Sequence, residues 1–72
     1  MQEDAYAVCR YVRRYHEKNG YSPDRDMLGV STEFADLLIQ NGVIEELALY
    51  EGGPPILVVL TEKGARMSKE QR

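Results

Sequence analysis

Glu33, Asp36 and Gln40 recur at i, i+3 and i+7, a spacing that sets two carboxylates and an amide on one side of a helix, with Thr32 beside them. Such a face offers acceptors to a cationic surface and repels an anionic one. Arg10, Arg13, Arg14 and Lys18 form a contrasting set: they leave the apolar stripe of an earlier helical segment and present charge suited to phosphate or to an acidic protein. Covalent and acid–base chemistry find little footing. Cys9 lies within the apolar stripe and reads as a small buried hydrophobe. His16 adjoins Glu17, but neighbouring residues of a helix do not face each other. There is no glycine-rich phosphate loop, no metal-ligand spacing and no nucleophile with an evident base, so no catalytic residue, metal ligand or cofactor is expected. What remains is non-covalent recognition by charged faces.

The distribution of charge says more than the net value of -3. No lysine or arginine stands between Arg25 and Lys63, while Asp26, Glu33, Asp36, Glu45, Glu46 and Glu51 all fall there. The bases gather toward the two ends, and a split of this kind bears on partners. With 72 residues, 43% hydrophobic and 29% charged, residues 1–72 are expected to form one globular domain. That size lies near the lower limit for a single apolar core, and dimerisation would help it. A single cysteine excludes an internal disulfide and points to a reducing cytoplasm. The charged start, with Glu3, Asp4 and Arg10, lacks the apolar core of a signal peptide, and the longest apolar run, residues 56–60, is too short to span a bilayer.

These faces require elements to carry them. Ala5, Val8, Cys9 and Val12 recur at helical spacing and predict a first helix over residues 2–19, with Glu3 and Asp4 in its first turn and Gly20 as its stop. Ser22 and Pro23 predict the cap and first position of a very short helix over residues 24–28. A central helix follows from Ser31, with Phe34, Ala35, Leu37, Leu38 and Ile39 making a broad buried face and Asn41-Gly42 ending it. Residues 43–50 and 56–60 read as two strands joined by a glycine- and proline-rich loop over residues 51–55. Thr61 can cap a last helix over residues 62–69, in which Glu62 and Arg66 are spaced to pair, as Arg13 and Glu17 are in the first. The core is expected from Val8, Cys9, Val12, Leu28, Phe34, Leu38, Ile44, Leu47, Ile56, Val58 and Leu60. Tyr6, Tyr11 and Tyr15 cannot all lie on one stripe, so some rings remain on the surface, where they offer a two-fold contact between copies.

Several phrases, in this order, resemble a known family. Val12-Arg13-Arg14-Tyr15 through Gly20-Tyr21-Ser22-Pro23 resembles the first helix and its exit in LexA-type repressor DNA-binding domains. Asn41-Gly42-Val43-Ile44 resembles the end of a winged-helix recognition helix, and Leu60-Thr61-Glu62-Lys63-Gly64 is similar to the phrase after the wing in MarR and PadR regulators. The resemblance covers nearly the whole chain and implies an α+β winged-helix domain of three helices, a two-stranded hairpin wing and a short C-terminal helix. It places Thr32, Glu33, Asp36 and Gln40 on the recognition helix and Glu51, Gly52, Gly53, Pro54 and Pro55 at the wing tip. Phosphate contacts would then come from Arg10, Arg13, Arg14, Arg25, Lys63, Arg66 and Lys69.

The chain departs from the family where reading would occur. None of the helix or wing positions is basic, and the segment from Gly29 to Gly42 is shorter than the family pattern by roughly one helical turn. Two functions follow. The resemblance implies a small transcription regulator that binds duplex DNA, and the charge pattern implies instead an interaction module, such as an antirepressor, whose acidic face meets a basic protein.

Overall fold

The computed structural model describes residues 4–51 and 53–70 as a small α+β domain of helices and one antiparallel hairpin. The first helix, α1, spans Ala5–Asn19 and buries Val8, Cys9 and Val12. It starts later than the sequence suggests: Asp4 stands just outside as the N-cap, its carboxylate accepting from Tyr6 N at 2.9 Å, instead of lying in the first turn. Glu3 lies outside the described residues. Gly20 closes the helix at φ 79°, a left-handed conformation open to glycine without penalty.

The short second helix is a single 3-10 turn, Arg25–Leu28, and its cap is Asp24, not the expected Ser22 and Pro23. The hairpin is the reason. Pro23 is buried and its carbonyl accepts from Val58 N at 2.9 Å, while Asp24 pairs with Leu57, so this segment is drawn out against the sheet and only the next turn can wind. The central helix, α2, spans Thr32–Gln40, opened by Ser31 and followed by Asn41 and by Gly42 at φ 69°. Strands β1 (Ile44–Tyr50) and β2 (Gly53–Leu60) pair Ile44 with Leu60, Glu46 with Val58 and Ala48 with Ile56, with a register shift between Ala48 and Tyr50. β2 therefore begins within the expected loop. Gly53, Pro54 and Pro55 occupy its first positions, where a missing backbone donor is tolerated, and Gly52 lies outside the described residues. The last helix, α3, spans Glu62–Met67, two residues short of the expected end.

Val8, Cys9, Val12, Leu28, Leu38, Val43, Ile44 and Val58 form the buried cluster, drawn from every layer of the domain. Phe34 and Leu60 are only partly buried against it, and Ile56 is likewise partly buried. Leu47 corrects the expected core outright: it is 51% exposed, because it pairs with Leu57 on the sheet face opposite Ile44 and Val58. Among the described residues no helix is long and apolar enough to cross a membrane.

Candidate interaction surface

Thr32, Glu33, Asp36 and Gln40 are all exposed on the outward side of α2, as their spacing requires. The structure adds a cation to this side and also occupies it. Arg25, on the 3-10 turn, lies 3.1 Å from the Asp36 carboxylate and 3.1 Å from that of Glu46 on β1, with its side chain 27% exposed. One guanidinium, with donors on separate nitrogens, thus ties the 3-10 turn to α2 and to β1. Arg25 was an expected phosphate contact; here it begins engaged by carboxylates, while Glu33 and Gln40 remain open to solvent. Glu51, at the expected wing tip, is exposed and extends the acidic character.

The other expected cations divide between α1 and α3. Arg10 Nη1 donates to the Glu70 carbonyl at 3.4 Å, which sets the basic side of α1 beside the end of α3. Arg13 lies 3.9 Å from Glu17, and Arg66 lies 3.3 Å from Glu62, both exposed pairs one helical turn apart and worth little. Lys63 Nζ donates to the Asn41 carbonyl at 3.2 Å. Arg14 and Lys69 hold no ion pair among the described residues.

Between these helices lies a feature that sequence reasoning did not supply, an open groove of about 580 Å³. α1 contributes Ala5 and Tyr6, α2 contributes Phe34, Leu37 and Leu38, and Val43 and Met67 complete the apolar lining. Asn41, Lys63, Arg66 and Glu70 make up the polar part. Leu37 is 51% exposed. The signal was available in the adjacent pair Leu37-Leu38, since residues one apart on a helix diverge by about 100° and a nine-residue helix on a small core cannot bury both.

α3 is fixed to the link between α2 and β1 by polar bonds. The Thr61 hydroxyl donates to the Gly42 carbonyl, Thr61 N donates to the Val43 carbonyl at 3.2 Å, and the Thr61 hydroxyl oxygen accepts from Gly64 N at 3.1 Å. Gly64 is buried against Val43, so closely that any Cβ there would run into the Val43 carbonyl oxygen.

The tyrosines separate as their spacing requires. Tyr11 and Tyr15 have ring centroids 6.0 Å apart, Tyr15 and Tyr21 stand edge to face at 5.8 Å, and Tyr6 lies apart from them in the groove. Cys9 is fully buried, and that burial pushes its thiol from 9.0 up to about 11, against an opposing pull from Arg10, so it is held as an unreactive thiol. His16 is exposed on α1. Among the described residues no group of three or more His, Cys, Asp or Glu could hold a metal ion. No protein-family model matches the chain, and neither a curated protein nor a solved structure matches it.

Proposed function

We propose that the chain is a non-catalytic interaction module of winged-helix type that uses the outward side of α2 against a basic protein surface. The observation that carries this reading is the double engagement of Arg25. The cation nearest that side is already held by Asp36 and Glu46, and Glu33 adds a further carboxylate beside Thr32 and Gln40. A phosphate backbone approaching there meets like charge; a lysine- or arginine-rich surface meets its complement and is steered toward it. The order of elements, with a helix pair joined by one tight turn and a hairpin after the second helix, supports the winged-helix assignment.

Duplex DNA binding is the second reading, and the placement of Arg10 beside the end of α3 favours it, because it sets the bases of α1 and α3 on neighbouring helices. In that case Arg14 and Lys69 contact backbone phosphate, and the acidic side of α2 plays no part. Titration of the chain with mixed-sequence duplex DNA at low salt separates the two. No binding is expected; binding that weakens on Arg14→Ala, with the salt slope falling by about one unit, would replace the protein reading with the DNA reading. Glu33→Gln with Asp36→Asn gives opposite signs: slower and weaker association with a basic protein, unchanged or tighter association with DNA.

A further inference from the structure

The groove between α2 and α3 has walls of opposite charge. On α2, Glu33 lies one turn before Leu37 on the same side, and the helix carries no base. On α3, Lys63 and Arg66 line the groove, and Glu70 ends it next to Arg10. Between the walls the surface is apolar, with Phe34 and Met67 lining it and Leu37 half out of it. A partner segment of one sign would be attracted by one wall and repelled by the other. A second copy brings both signs in matching places: a two-fold axis through the groove sets α2 of each copy against α3 of its partner, acid to base twice over.

We infer that this groove is a homodimer interface, in which Leu37 of each copy enters the other's groove and Glu33 faces the other's Arg66. The small core gives a reason for it. A domain of this size has little apolar area to bury by itself, and an exposed leucine beside a lined groove is area left over. The interface is separate from the tyrosine row on the other side of α1. It is also independent of what the outward side of α2 binds, since Thr32 and Asp36 turn away from Leu37 on the helix.

Sedimentation equilibrium of the full chain at low salt, taken up to about 1 mM, tests the inference. A reversible monomer–dimer equilibrium is expected, weakened by salt, with Leu37→Asp raising the dissociation constant by at least about tenfold. Leu37 is half exposed, so that variant keeps its fold, and far-ultraviolet circular dichroism checks it. Glu33→Lys and Arg66→Glu should each weaken the dimer, and combining them in one chain should restore it, because every pair across the interface is then attractive again. Monomer alone at the highest concentration overturns the inference. So does a dimer indifferent to Leu37→Asp, or a combined charge swap no better than the single changes.

Discussion

Ser31 and Thr61 open α2 and α3 with the same bond, a side-chain oxygen accepting from the backbone N–H three residues on, at 3.1 Å in each case. Past that first turn the two helices are held by different means. α2 buries Ala35 and Leu38 in the core and has Phe34 and Ile39 packed partly against it, so apolar burial sets its position. α3 buries Gly64 and Ser68, residues with little apolar surface, and hangs from the backbone of Gly42 and Val43 by Thr61 and by close approach. The lesson concerns the groove they flank. One wall is anchored by hydrophobic contact and the other by a few polar bonds and one missing side chain, so the two walls should fail for different reasons and by different amounts.

The largest effect is expected at Gly64. In an ordinary exposed helix, glycine to alanine gains about 1 kcal/mol in propensity. Here the new Cβ meets the Val43 carbonyl, which belongs to backbone and cannot swing aside, so Gly64→Ala should destabilise by about 2 to 3 kcal/mol in urea denaturation. A variant as stable as the parent, or more so, would show that α3 is free to shift and that the comparison of the walls is wrong.

The caps come next, and they test the contrast directly. Thr61→Ala removes the acceptor for Gly64 N and the donor to the Gly42 carbonyl together, at an expected cost of about 1 to 2 kcal/mol. Ser31→Ala removes the same kind of cap from a helix held by its apolar face, and about 0.5 to 1 kcal/mol is expected. Paired urea melts give the ratio. Equal losses would mean that the polar bonds of Thr61 add nothing beyond a cap.

These devices were not equally legible. The hydroxyl caps, the glycine stops at Gly20 and Gly42 and the pairs Arg13–Glu17 and Arg66–Glu62 are local, and residue type and spacing announce them. The 3-10 turn was misread because Pro23 spends its carbonyl on Val58, a partner far along the chain. Leu47 was misread because alternation marks two faces of a strand without saying which one the helices cover. The acidic side of α2 was visible as an i, i+3, i+7 row, but the neutralising role of Arg25 was not, since its carboxylates sit on two elements whose meeting only the fold decides. Gly64 carried a faint signal: a glycine inside a capped helix commonly marks close packing.

The smallest of these effects is expected at Arg25, and it bears on the acidic wall. If apolar burial positions α2, the ion pairs to Asp36 and Glu46 only adjust it, and Arg25→Met should cost about 1 kcal/mol or less, methionine keeping much of the apolar stem. The pairs are partly exposed, so the difference between variant and parent should narrow as salt is raised, with the Debye length falling from about 10 Å at 0.1 M to about 3 Å at 1 M. Urea melts of both chains at low and high salt measure this. A loss above about 2 kcal/mol that salt leaves unchanged would mean that the guanidinium is a structural bolt joining α2 to β1, and α2 would then depend on polar bonds as much as α3 does.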